Sequence, residues 1–382
     1  MLLIRVSLFL LILVSIFCMK KFFLIFKPKA SSFLPMQFII KKSLIMFLFL
    51  AFIYIPNNSH SASNHIEDFG IISLMYHRFE ENKYPSTNIR IDDFIKHIEM
   101  IKENKLSFIN PKKFEIDLTE KRKNRKILLT IDDGFTSFYK NAWPILKERK
   151  IPFILFVSTR EVGKFNYMTW DQIREIDKEE FVEIGNHSHT HEYLIDLKSE
   201  EIKNDIKKSI EIFKKELGYN SNFFSYPFGE YSNEFKKIIK DLGFQYAFGQ
   251  HSGVISDKYN FYELPRFPIN EKYGELKRFK SLLKNIPFNY EYVNPEERYL
   301  KNKKNPPDVT IKFSESIKNL NLTNCYSNEE NKWRKSKIIF IDKNTLKIEL
   351  QGKFTSERGR INCSLQDESG YWRWLGLQFV VP

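Results

Sequence analysis

The chain has 382 residues, 42% of them apolar and 28% charged, a composition that describes a folded globular protein with room for two domains and excludes a disordered or fibrous one. Its formal net charge of +13 is uneven: residues 1–62 hold seven basic side chains (Arg5, Lys20, Lys21, Lys27, Lys29, Lys41, Lys42) and no acidic one, which leaves +6 for the rest. The remaining lysines lie along helical segments such as Glu201 to Leu217, with no interleaved aromatic stripe. That pattern speaks for solvated helix faces and against nucleic-acid binding.

The chain begins with two apolar stretches, Leu8 to Cys18 and Leu44 to Ile55, each shorter than the ~20 residues that a membrane-spanning helix needs. Read from Met36, it shows a basic segment (Lys41, Lys42), an apolar core (Leu44 to Ile55) and small residues Ser59, Ser61, Ala62 and Ser63 near a cleavage point, the layout of a secretory signal peptide. Read from Met1, residues 1–55 form a membrane-anchoring hairpin or an uncleaved anchor instead. On both readings the body is exported to the periplasm or cell envelope, and only the N-terminal segment meets the membrane. Export favours an oxidising compartment, where Cys325 and Cys363 either form one disulfide or remain two buried thiols.

From Gly70 onward, short apolar runs alternate with helical patterns, which predicts α/β architecture around a parallel sheet. The strands expected are Ile71 to Tyr76, Lys126 to Ile131, Pro152 to Val157, Phe181 to Ile184, Phe223 to Tyr226 and Gln245 to Phe248. The helices between and after them are Ile91 to Glu103, Ser137 to Glu148, Trp170 to Ile176, Ser199 to Leu217, Asn233 to Leu242 and Gly274 to Lys284. Repetition of this unit predicts a distorted (β/α)7-type barrel over residues 63–295. A polar segment at 296–307, with Lys301 to Lys304 and Pro306-Pro307, reads as a linker. Beyond it, Val309 to Phe313, Ser336 to Ile341, Thr345 to Leu350, Arg360 to Leu365 and Trp372 to Val381 predict a small all-β sandwich over 308–382.

Two motifs carry chemistry. Leu129-Thr130-Ile131-Asp132-Asp133-Gly134 ends one strand, and Gly185-Asn186-His187-Ser188-His189-Thr190-His191 follows another. Alone, an aspartate pair is a turn or a helix cap, and a lone His-x-x-x-His is equally common in loops. Together, an i, i+4 histidine pair and one carboxylate supply three ligands to a divalent ion, and the second carboxylate stands beside them to act on water. Both motifs fall just after strands, where α/β barrels assemble active sites. This is a hydrolase pattern.

These residues resemble the polysaccharide deacetylases of the NodB-homology type, carbohydrate esterase family four, over roughly Ile71 to Asn270. The resemblance implies Asp132 as general base and Asp133, His187 and His191 as metal ligands, with His189 in a structural role. Ser225-Tyr226-Pro227-Phe228-Gly229 is similar to a third motif, whose residue after proline offers its backbone N–H to an oxyanion; Phe228 takes that place and Tyr226 lies beside it as a substrate contact. Ser225 stands where many members carry arginine, and Arg266 in Leu264-Pro265-Arg266-Phe267 is either its substitute or a surface arginine. The late Leu-x-His motif is missing, and His77 in Leu74-Met75-Tyr76-His77 resembles the relocated general acid of the poly-N-acetylglucosamine deacetylase type. Trp170, in Met168-Thr169-Trp170-Asp171, either walls the sugar site or starts a helix from the core. The implied ion is zinc, with cobalt, nickel or iron equally compatible with two histidines and a carboxylate.

The implied reaction is removal of N-acetyl groups from an N-acetylglucosamine polysaccharide, with release of acetate. Two alternatives use the same residues: a non-catalytic glycan-binding protein on the same fold, and a hydrolase of another amide or ester. Trp333, Tyr371, Trp372 and Trp374 give the C-terminal segment an aromatic density suited either to a sandwich core or to stacking on sugars.

Overall fold

The computed structural model describes residues 69–120, 124–301, 304–314 and 317–382; the expected leader lies outside them. No helix among the described residues is long and apolar enough to cross a membrane.

The main sheet is built from β1 (Ile71–Tyr76), β2 (Lys126–Ile131), β3 (Phe153–Val157), β4 (Val182–Asn186), β5 (Phe223–Ser225), β6 (Tyr246–Phe248), β7 (Val254–Ile255) and β8 (Phe267–Pro268). Its path runs β7-β1-β2-β3-β4-β5-β6, with β8 also on β1. Strands β1 to β6 run parallel to one another, β7 is antiparallel to β1, and β1 and β3 are buried along their whole length. Unbroken apolar runs are what a parallel sheet covered on both faces requires. Connections are made by α1 (Ile91–Glu103), α2 (Phe114–Thr119), α3 (Trp143–Glu148), α4 (Trp170–Asp177), α5 (Ser199–Leu217), α6 (Asn233–Asp241) and, after β8, α7 (Leu276–Leu282). In α5 the buried Ile202, Ile206, Ile210 and Phe213 recur at helical spacing, while Gly218 ends the helix at φ 86°, a left-handed position that glycine occupies without a Cβ penalty.

The sheet curls, and one segment laces its two ends. Leu264 exchanges backbone bonds with Ala247 and Gly249 at β6, and three residues on Phe267 pairs with Leu74 of β1. Arg266 therefore rides on the segment that closes the barrel.

The remaining strands form a two-sheet sandwich: β9 (Asn285–Pro287), β10 (Tyr290–Asn294), β11 (Val309–Phe313), β12 (Asn324–Ser327), β13 (Arg334–Lys335), β14 (Lys337–Phe340), β15 (Thr345–Glu349), β16 (Arg358–Gln366) and β17 (Trp372–Val380). One sheet has the order β9-β17-β16-β12-β13 and the other β10-β11-β15-β14. Their shared core includes Phe288, Val309, Phe313, Ile361 and Phe379. The sheet pairing begins before the boundary read at residue 295: β9 joins β17 and β10 joins β11. These two strands are short, and β9 ends on Pro287, so they carry little periodicity of their own. Part of the expected linker is also tied down, since the Leu300 N–H donates to the Val380 carbonyl and the Val380 N–H to the Arg298 carbonyl, both at 2.8 Å. Cys325 and Cys363 stand opposite each other on β12 and β16 and are joined by a disulfide.

Candidate active site

Strand register assembles the site at the carboxyl end of the sheet. Tyr76 of β1 pairs with Ile131 of β2, and the Asp132 N–H donates to the Tyr76 carbonyl at 2.9 Å. His77 and Asp132 thus leave adjacent strands at the same level. Direct neighbourhood of β1 and β2 brings them together, and closure of the barrel is not needed for it.

Asp132 is fully buried, as is Arg266. The guanidinium grips the carboxylate at both oxygens, with Nη1 to Oδ1 at 2.7 Å and Nη2 to Oδ2 at 2.8 Å. Its other donors go to the Gly249 carbonyl, Thr130 Oγ1 and Ser225 Oγ at 3.0, 3.2 and 2.8 Å. Ser225 Oγ in turn donates to Asp132 Oδ2 at 3.3 Å. The planar fork of arginine matches a carboxylate in a way lysine cannot, so Arg266 holds Asp132 in place and the serine fills the space between them. Burial alone would raise the Asp132 carboxyl; Arg266, with His187 and His77, outweighs it and keeps the group below the ordinary aspartate value.

Asp133, His187 and His191 present one ligand atom each, all within 4.8 Å of one another. Asp133 Oδ1 lies 3.4 Å from His187 Nε2 and 3.2 Å from His191 Nε2, close to the spacing between ligands of one tetrahedral ion with bonds of about 2.1 Å. That oxygen is buried and, among the described residues, lacks a hydrogen-bond donor. His187 Nδ1 lies 2.6 Å from the Ser225 carbonyl, an acceptor that fixes the proton on Nδ1 and turns the Nε2 lone pair toward Asp133. The donor set therefore fits a divalent cation.

The backbone is strained where these groups converge. Asp133, Ser188, His191 and Phe228 have φ of 74°, 66°, 54° and 58°, a left-handed conformation that non-glycine residues hold only when surrounding contacts impose it. Asp205 of α5 imposes it on the histidine loop by accepting bonds from His189 N, Thr190 N and Thr190 Oγ1 at 2.8, 3.1 and 2.7 Å. His189 points away from the ligand trio, its Nδ1 2.8 Å from Thr159 Oγ1.

Phe228 caps the site from the third motif. Its ring meets His191 edge-on at 4.8 Å and stacks on Tyr193 at 4.1 Å. The sandwich supports this loop: Arg358 of β16 places its guanidinium 5.6 Å from the Phe228 ring and bonds Glu230 at 2.7 Å, while Gln378 Nε2 donates to the Gly229 carbonyl at 3.3 Å. His77 feels Asp133, Asp132, Arg266 and His187; burial lowers its proton affinity most, and the net direction is down.

Two expected contacts lie elsewhere. Tyr226 is fully buried, and its hydroxyl donates to the Tyr262 carbonyl at 3.0 Å, so it is not a substrate contact. Side chains alternate along a strand: Ser225 faces Asp132, so Phe224 and Tyr226 face the helical layer with Phe235. Trp170 opens α4 after a Thr169–Gln172 capping box, and its ring meets Phe213 edge-on at 6.2 Å. The core packing of α4 accounts for it. Residues missed by sequence reasoning are Thr130, Asp205, Tyr193 and Arg358; Thr130 and Asp205 carry only the signal of a polar residue on a buried strand or helix face.

Residues 119–247 match the polysaccharide deacetylase family. The poly-beta-1,6-N-acetyl-D-glucosamine N-deacetylase of Staphylococcus epidermidis is 27% identical over 220 residues, covering 54% of this chain and 74% of that protein. The protein of the same name from Staphylococcus aureus is 25% identical over 216 residues, covering 52% and 73%. Among solved structures, IcaB from Ammonifex degensii shares the fold with a TM-score of 0.52 at 23% identity, over 57% of this chain and 98% of that one. The matched segment contains both the aspartate pair and the histidine pair, and over it the chain is similar to the polysaccharide deacetylase family.

Proposed function

We propose that this hydrolase is exported, binds one divalent metal, taken as zinc, and removes N-acetyl groups from a β-1,6-linked N-acetylglucosamine polymer. The observation that carries the reading is the pairing of a buried, arginine-clamped Asp132 with the Asp133, His187 and His191 trio a few ångströms away. The glycan comes from the names of the two staphylococcal relatives.

A metal held by Asp133, His187 and His191 would polarise the amide carbonyl and acidify water. The protein's own groups do the rest. Asp132, fixed by Arg266 and Ser225, takes the proton from the attacking water. The Phe228 N–H, turned by its left-handed backbone, donates to the oxyanion. His77 protonates the departing nitrogen; its lowered proton affinity makes the imidazolium a stronger acid, and without it an amide nitrogen leaves badly.

The test is acetate release across defined glycans with zinc-loaded protein. β-1,6-linked N-acetylglucosamine oligomers are expected to react faster than chitin oligomers and peptidoglycan fragments. Release from another glycan alone would overturn the substrate, and release from none would overturn the activity.

A further inference from the structure

A cavity of about 590 Å³ lies between α7 and the outward face of the sheet containing β12, β16 and β17, and none of its lining residues belongs to the Asp132 site. Strand alternation creates it. Ile361, Cys363 and Leu365 of β16 point into the sandwich core, so Asn362 and Ser364 point outward. Register sets Tyr326 beside Asn362, Trp374 beside Ser364 and Trp372 beside Gln366.

The barrel covers only part of this face. Trp374 Nε1 donates to Ser252 Oγ at 2.8 Å, and that hydroxyl donates to Asn362 Oδ1 at 3.1 Å. Beyond this docking point the groove stays open, with Trp333 51% and Tyr326 44% exposed and Trp372 half-buried. Exposed aromatic rings lining one groove mark a surface that binds something. Arg278 and Ser364 add a guanidinium and a hydroxyl to the same lining, and among the described residues no carboxylate lines it.

We propose that this groove binds the acetylated, uncharged form of the polysaccharide at a distance from the catalytic carboxylates, which rests on the glycan reading above. A pyranose offers apolar C–H faces to flat aromatic rings and polar groups around its rim, the combination this lining matches. Absence of carboxylates, together with Arg278, disfavours the cationic deacetylated product. The groove and the site share a strand: Arg358 of β16 meets Phe228, and Ser364, six residues along, lines the groove, a span of about 20 Å at ~3.3 Å per residue. A polymer of several sugars reaches both.

The experiment titrates the full protein and its Trp333→Ala and Trp372→Ala variants with N-acetylglucosamine oligomers and glucosamine oligomers of equal length, by calorimetry, alongside turnover of an N-acetylglucosamine dimer too short to span. The expected result is about a tenfold loss of affinity for the acetylated oligomer in each variant, weaker binding of the glucosamine oligomer to the unmodified protein, and unchanged dimer turnover. Equal affinity of the variants and the unmodified protein, or equal binding of both oligomers, would overturn it. If no glycan releases acetate yet acetylated oligomers still bind through Trp333 and Trp372, the groove stands and the catalytic reading falls.

Discussion

Replacing Arg266 with methionine removes five hydrogen bonds and the countercharge of a carboxylate that is 0% exposed. Breaking one side of a buried ion pair costs about 3–5 kcal/mol, because the surviving charge stays desolvated. Against a total stability of about 5–15 kcal/mol, that is a large fraction. Asp132→Asn leaves the guanidinium uncompensated and should cost a similar amount. The double variant leaves neither charge of the pair buried alone, so its loss should fall short of the sum of the single losses by about 2–3 kcal/mol. Arg266→Lys should recover only part, since an ammonium cannot reach both carboxylate oxygens and Ser225 from one plane. Urea unfolding at pH 7, comparing midpoints at constant slope, measures all four. Additive losses, or a loss below about 1 kcal/mol for Arg266→Met, would show that the pair is not the dry, mutually dependent clamp described.

Glu183 tests burial through pH. Burial pushes its carboxyl up to about 7, whereas the unfolded chain releases that proton near pH 4.3, an ordinary value of about 4.3 for glutamate. The contribution to stability is therefore complete below the unfolded value and is lost as pH rises through about 7. Glu183→Gln should gain on the unmodified protein by about 2 kcal/mol between pH 4.5 and pH 8, discounted for partial exposure; thermal melts at the two pH values check it. The Cys325–Cys363 disulfide closes a loop with a sequence separation of 38, for which chain entropy gives about 4 kcal/mol, so Cys325→Ser/Cys363→Ser should lower the urea midpoint markedly. Arg358→Met removes the partner of Glu230, a residue 3% exposed in the Phe228 loop; kcat on a short substrate should fall about tenfold, equivalent to about 1.4 kcal/mol, and Glu230→Gln in the same protein should restore part of it.

Much of the site is legible in the sequence because its ligands come from contiguous motifs. Asp132 with Asp133, and His187 with His191, follow strands whose apolar runs are unmistakable, and the structure brings them together. Arg266 is harder, since it belongs to a segment whose partners, Thr130, Ser225 and Gly249, lie 17 to 136 residues away. Tyr226 was open to correction from sequence: if Ser225 faces the carboxylates, the next residue must face the helices. The start of the sandwich was not, because β9 takes its pairing from Trp372 to Trp374 near the other end of the chain. Support of the Phe228 loop by Arg358 and Gln378 is likewise a product of tertiary docking that no local pattern announces.

The most direct test of the central claim is acetate release from a β-1,6-linked N-acetylglucosamine oligomer by chelator-treated protein, titrated with zinc, for the unmodified chain and Asp132→Asn. One equivalent of zinc should restore the unmodified protein, and Asp132→Asn should bind the same equivalent yet work about a thousandfold more slowly. Equal rates for the two zinc-loaded proteins would contradict that claim.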